Sequence, residues 1–167
     1  MSYVYLAGPM RGLPGFNFPV FRQAAQDLRK RGLHVCSPHE ADEVIYGEVF
    51  DDLAGTDAEL LALKFNLPAA LADCCSTILS PLCEGVVLLP GWERSTGARA
   101  EAHLAWAVGK HVRLYYPPDR ANGFHHELWP ITVPDYAFPP HLLVSEFAAP
   151  DPSELWQDGE RRPRGEK

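Results

Sequence analysis

Short apolar runs alternate with longer stretches in which apolar residues return every three or four positions, and the two patterns take turns along the first two thirds of the chain. Tyr3-Val4-Tyr5-Leu6-Ala7 reads as a strand, closed by the sharp loop Gly8-Pro9-Met10-Arg11-Gly12. The spacing then predicts a helix. Asn17 is its expected N-cap, Pro19 sits in its first turn and Gly32 closes it, with Val20, Phe21, Ala24, Ala25 and Leu28 as the buried stripe. A second strand covers 33–36 and stops at Ser37-Pro38. Between His39 and Leu82 the pattern weakens, and helices are expected over 58–64 and 68–79. Gly85-Val86-Val87-Leu88-Leu89 is a continuous apolar run, as in a strand covered on both faces. Pro90-Gly91 ends it. Ser95 stands where an N-cap belongs, and a helix runs from Thr96 to Val108 until Gly109 stops it. Ala98, Leu104, Ala105 and Val108 mark its apolar face, with Trp106 off it. A last strand, 112–116, ends at Pro117-Pro118.

The order β-α-β-α-β-α-β predicts an α/β fold: a doubly wound, flavodoxin- or Rossmann-like parallel sheet of about five strands with flanking helices. Ligands of such sheets bind beyond the C-terminal strand ends. Residues 1–118 would form the α/β nucleotide-binding catalytic domain. Residues 119–156 would form an irregular, Pro-rich extension packed on the same domain or on a partner subunit, with a short strand at 131–133. The aromatics Phe124, Trp129, Tyr136 and Phe138 suit an interface or a lid. The polar stretch 157–167 reads as a disordered tail.

Composition narrows the function classes. The 167 residues are 46% hydrophobic and 22% charged, as in a globular domain with one sizeable core. The net charge of −7 argues against a general nucleic-acid binder, which presents a basic face. A local pocket can still oppose that charge and hold a small anion. No run approaches the ~20 apolar residues of a membrane span. The opening Ser2–Ala7 is too short for a signal-peptide core and lacks a basic lead. The four cysteines, Cys36, Cys74, Cys75 and Cys83, show neither a CxxC pair nor zinc spacing. They read as reduced thiols of a cytoplasmic protein, Cys74-Cys75 being a buried helical pair. His125-His126 lacks a third ligand at useful spacing and reads as a surface pair, so no metal and no cofactor is expected.

The chemistry concentrates on two strand ends. Gly97 and Ala98 are small enough for a ligand to approach the backbone, and the free N–H groups at the start of a helix suit a phosphate. Glu101 lies near the same helix start, where the dipole is expected to keep a carboxylate ionised. Taken together, LAGPM-x-G at 6–12 and LPGW-x-x-S-x-G-A-x-x-E at 89–101 resemble the nucleoside 2-deoxyribosyltransferase-like superfamily over about residues 3–116. The site is similar to that of the 2′-deoxynucleoside 5′-monophosphate N-glycosidases. The resemblance implies that Glu101 is the nucleophile at the anomeric carbon. It also implies that Ser95 and the Gly97 backbone hold a 5′-phosphate, that Gly8, Met10 and Arg11 surround sugar and phosphate, and that Tyr5 lines the substrate. Ala98 belongs to the same turn, and Trp92 is either a lid over the base or a structural plug. It further implies a homo-oligomer, dimer or larger, in which neighbours complete each other's sites. The family places an aspartate eight residues before a Cys-Asp or Ala-Asp pair. Here that pair is Cys83-Glu84 and the position is Ser76, so either the nearby Asp73 is the general acid through a shifted helix, or that function is altered.

Breaking an N-glycosidic bond needs a carboxylate beside the oxocarbenium-like carbon, a proton for the leaving base and an anchor for the phosphate. Glu101, Asp73, and Ser95 with Arg11 fill these three roles; water as acceptor gives hydrolysis, and a second base gives transfer. Two rivals stand beside this reading. One is a phosphoribohydrolase of the lysine-decarboxylase-like type, whose PGG-x-GT-x-x-E pattern Pro90-Gly91-Trp92 does not reproduce. The other is a nucleotide-binding or sensor module without chemistry.

Overall fold

Side chains of a strand alternate between the two faces of its sheet, and the central strands of this protein are apolar on both. The computed structural model describes residues 1–47, 49–115, 129–130, 156–157 and 160–161. Along the chain come β1 (Tyr3–Ala7), α1 (Phe18–Lys30), β2 (Val35–Cys36), α2 (Pro38–Tyr46), α3 (Asp57–Ala62), α4 (Leu67–Leu79), β3 (Cys83–Leu88), α5 (Thr96–Ala107) and β4 (His111–Leu114). β2, β1, β3 and β4 lie side by side in that order, all parallel. Tyr5, Ala7, Val86 and Leu88 face one side, where Ile78 of α4 and Ala98, Ala102 and Ala105 of α5 cover them. Leu6 and Val87 face the other, under Phe21, Ala24, Ala25 and Leu28 of α1. The protein is an α/β fold with helices on both faces of a parallel sheet. Among the described residues, no helix is long and apolar enough to cross a membrane.

The parallel part of the sheet has four strands rather than about five. The fifth, β5 (Trp129–Pro130), is a two-residue edge strand that runs antiparallel to β4. The expected strand at 131–133, the His125-His126 pair and the 118/119 boundary lie outside the described residues. Two short strands, β6 (Trp156–Gln157) and β7 (Glu160–Arg161), pair antiparallel where the expected extension meets the expected tail. The intervening Asp158-Gly159 is a two-residue hairpin signal in the sequence.

Other expectations need correction. Val20 is 42% exposed, and Phe18 takes its place in the buried stripe. Val20 sits about 100° round the helix from Phe21, beyond the edge of the covered face. On α5, Ala102 joins Ala98 and Ala105 in the core, Leu104 packs against it partly buried as does Trp106, which was expected off that face, and Val108 is exposed. Cys75 is also exposed, while Cys74 beside it is partly covered. Asn17 does not cap α1 with its side chain. It adopts a left-handed conformation at φ 64°, and its Nδ2 donates to the Pro9 carbonyl at 2.8 Å. The residue therefore ties the loop after β1 to the start of α1. The helix α2 was not expected at all.

A third, smaller core holds that first loop from the other side. Phe16, Phe18 and Phe50 pack together, with the Phe18 and Phe50 ring centroids 4.5 Å apart. Backbone bonds from Gly12 N–H to the Gly55 carbonyl, 2.7 Å, and from Gly15 N–H to the Leu53 carbonyl, 2.7 Å, tie the loop to the segment before α3. Gly55 has φ +88°, and a Cβ there would run into the Leu13 backbone carbonyl. Gly55→Ala is therefore expected to destabilise the protein by about 1–3 kcal/mol. Chemical denaturation checks this, with a lowered midpoint at unchanged slope.

Candidate active site

The strand order reverses between β1 and β3: the chain moves outward from β1 to β2, then returns to place β3 on β1's other side. This is the switch point at which open α/β sheets leave a crevice beyond their C-terminal ends. Ala7 pairs with Leu88, and Leu89 N–H donates to the Ala7 carbonyl at 2.8 Å, so the two following loops start side by side. Gly8 allows that approach, since a Cβ on it would lie 2.8 Å from the Leu89 Cβ. A cavity of about 850 Å³ opens there.

Its floor is a carboxyl group. Glu101 projects from the second turn of α5 towards β1, and the buried Tyr5 hydroxyl donates to its Oε1 at 2.9 Å. Burial pushes the Glu101 carboxyl up to about 7, against the opposing pull of hydrogen bonds from Tyr5 and Cys74. This corrects the expectation of a carboxylate kept ionised by the helix dipole. Glu101 is the sixth residue of α5, and the dipole's influence fades within the first turn, so desolvation wins. Tyr5 is raised well above its ordinary value, by burial first and by the Glu101 charge second. It thus stays a hydrogen-bond donor across the working pH range.

The start of α5 forms one end of the cavity. Ser95 caps it as expected, its Oγ accepting from Ala98 N–H at 3.2 Å. The hydroxyl proton remains available to a ligand, because a hydroxyl both donates and accepts. The N–H groups of Thr96 and Gly97 have no intrahelical carbonyl to bond. An added Cβ on Gly97 would meet nothing nearer than Ser95 Oγ at 4.0 Å, so packing does not demand glycine there. Arg11 lines the same region, half exposed and 3.6 Å from Asp57 in an ion pair, and Arg94 lines it from the turn before α5. The opposite wall is apolar, built from Phe16, Phe18, Phe50 and Phe65.

Tyr5, Gly8, Met10, Arg11, Asp73, Ser95, Gly97, Ala98 and Glu101 thus all line one cavity. Trp92 does not. It is 5% exposed and packs in the core with Ile78, Ala98 and Ala102, so it is a structural plug rather than a substrate contact. Asp73 borders the cavity from α4 as an exposed residue, while Ser76 lies on α4 away from it. Sequence reasoning missed Arg94, Cys74 and Asp42. Cys74 is pushed up to about 12, chiefly by burial, and stays a thiol. Asp42 of α2 is raised to about 7 by burial alone.

A carboxyl group raised in the folded state stabilises the protein fully below its unfolded value and loses that contribution as pH rises through the folded one. For Glu101 the window runs from about 4.5 to about 7. Glu101→Gln is therefore expected to stabilise the protein at pH 8 by on the order of 2 kcal/mol, a rise in Tm of roughly 4–8 °C. The gain should vanish below about pH 4.5, and thermal melts across pH check it.

Comparison with curated proteins and with solved structures returned no match. The family model described as Domain of unknown function (DUF4406) matches residues 2–114. These residues contain all four parallel strands and every cavity residue named above, and the chain belongs to the DUF4406 family.

Proposed function

We propose that the protein cleaves or transfers at the N-glycosidic bond of a (deoxy)nucleoside 5′-monophosphate, in the manner of the nucleoside 2-deoxyribosyltransferase-like enzymes its two motifs resemble. The observation that carries this is the Tyr5–Glu101 pair, 2.9 Å apart, in the same cavity as the uncapped N–H groups of α5. The phosphate would sit on Thr96, Gly97 and the Ser95 hydroxyl, with Arg11 and Arg94 supplying opposite charge. The sugar would then bring C1′ towards Glu101. Glu101 acts as its carboxylate, forming a bond to C1′ as the C1′–N bond breaks and the base leaves with the electron pair. Water or a second base then displaces Glu101. The Tyr5 hydrogen bond orients the attacking carboxylate and favours its ionised form.

A nucleotide-binding module without turnover is favoured by one observation: Ser76, where the resemblance places an acid, is neither acidic nor on the cavity. Base release decides between the two. Incubation with ribo- and deoxynucleoside 5′-monophosphates, with and without a second free base, should liberate base from at least one of them. Glu101→Gln should abolish it, a loss of roughly 10³-fold or more, with the fold retained. Binding of a monophosphate without release would favour the module.

The phosphate anchor has its own test. Gly97→Ala should keep or raise Tm, since alanine favours a helix by up to about 1 kcal/mol. It should also raise KM for monophosphates by roughly tenfold, the loss of about 1.4 kcal/mol of binding. Turnover of the matching unphosphorylated nucleoside should change little; equal effects on both would refute the anchor.

A further inference from the structure

The reading above leaves the leaving base without a proton donor that the fold brings inside. Asp73 is exposed, and Ser76 is off the cavity. The helix α2 supplies another carboxyl group. It carries three acids between Pro38 and Tyr46, and α1 neutralises two of them: Arg29 binds Glu40 at 2.6 Å and Arg22 binds Glu43 at 2.6 Å. Asp42 is the exception. It lies one turn on from His39, whose ring packs on Phe18 and Phe21 of α1, and it borders the cavity instead of an arginine. It is partly buried and lines the cavity. Among the described residues no cation pairs with it and nothing donates a hydrogen bond to it. A partly buried carboxyl group with no partner costs stability.

We infer that Asp42, facing the cavity from α2, is the catalytic acid that protonates the leaving base, taking the role for which the sequence suggested Asp73. The inference rests on the N-glycosidase reading and names the second half of the same site. In the forward step the Asp42 proton passes to the base as the C1′–N bond breaks and Glu101 bonds to C1′. In the second step water attacks C1′, the Glu101–C1′ bond breaks and Asp42 takes the water's proton. The chain ends the cycle as it began.

The protonation states agree with these roles. Desolvation holds Asp42 at about 7, so a neutral, proton-bearing form is populated near neutrality. The groups sharing its cavity are Cys74 and Asp73 from α4, Glu101 from α5, and Tyr5 and Cys36 from the sheet. None is a cation. Arg11 and Arg94 line the cavity at the loop end, and Arg11 is engaged with Asp57. Cys74, which also lines the cavity, lies within electrostatic reach of both Glu101 and Asp42. A pair in which one carboxyl is ionised and the other is not is the arrangement that glycosidic cleavage uses.

The test compares Asp42→Asn with the wild type on two leaving groups carried by the same sugar phosphate. One is the natural base, which needs a proton. The other is 4-nitrophenolate, which leaves without one. Asp42→Asn should slow base release by roughly 100-fold or more and nitrophenolate release by less than about threefold. Glu101→Gln should abolish both. The alkaline limb of the wild-type pH–kcat profile for the natural base should be missing from Asp42→Asn, and Asp42→Glu should restore part of it. Thermal melts at pH 8 should show Asp42→Asn folded and no less stable. Equal losses on both leaving groups, full activity of Asp42→Asn, or a persistent alkaline limb would overturn the role of Asp42 and leave Glu101's intact. No turnover of any substrate by the wild type would overturn the N-glycosidase reading and this inference with it.

Discussion

A tyrosine hydroxyl on β1 reaches across to a carboxyl group on α5, and the candidate site is arranged around that 2.9 Å contact. It can form only because β1 and β3 are parallel neighbours and because α5, which follows β3, packs on the face to which Tyr5 points. The small residues Ala98, Ala102 and Ala105 bring α5 close enough to the sheet for the side chains to meet. The same close packing desolvates Glu101. One arrangement therefore positions the carboxyl, supplies its hydrogen bond and moves its titration towards neutrality.

Such a site works against stability. Both Glu101 and Asp42 are held near 7 by desolvation, so folding favours their protonated forms and each becomes a burden as pH rises. Structural carboxylates in this protein are treated differently. Glu40, Glu43 and Asp51 are matched to arginines of α1, and Asp27 is held below the usual carboxylate range. Burial opposes that shift, but hydrogen bonds from Gln23 and Tyr115 and the charge of Lys30 outweigh it. The contrast separates acids that serve the fold from acids that line the cavity. Perturbed groups gathered in a cleft are a physical reason to look for chemistry there.

The segment from β3 through α5 was legible because each of its signals is local: a continuous apolar run, Pro90-Gly91, a Ser95 cap and Gly109. The two strand-end loops followed from the parallel order, and with them most of the cavity lining. What could not be read depends on direction in space. Pro38 reads as a strand stop but serves equally as the first residue of α2, whose inward face carries His39 and Asp42 where apolar residues would have revealed it. Trp92 follows a glycine turn, and a turn does not tell whether the ring enters the core or the cavity. Asp73 stands alone in sequence and Asp42 sits between Glu40 and Glu43, and nothing local singles out either; only the packing of α2 and α4 leaves one exposed and draws the other in.

The central claim is that Glu101 bonds covalently to the anomeric carbon, and trapping that bond tests it most directly. A nucleoside 5′-monophosphate bearing fluorine at C2′ slows loss of the sugar from the enzyme more than its arrival, so the intermediate accumulates. Peptide mass spectrometry should then find the fluorosugar phosphate on the peptide containing Glu101, and none in Glu101→Gln. Release of base with the adduct absent, or with it attached to another residue, would contradict the account.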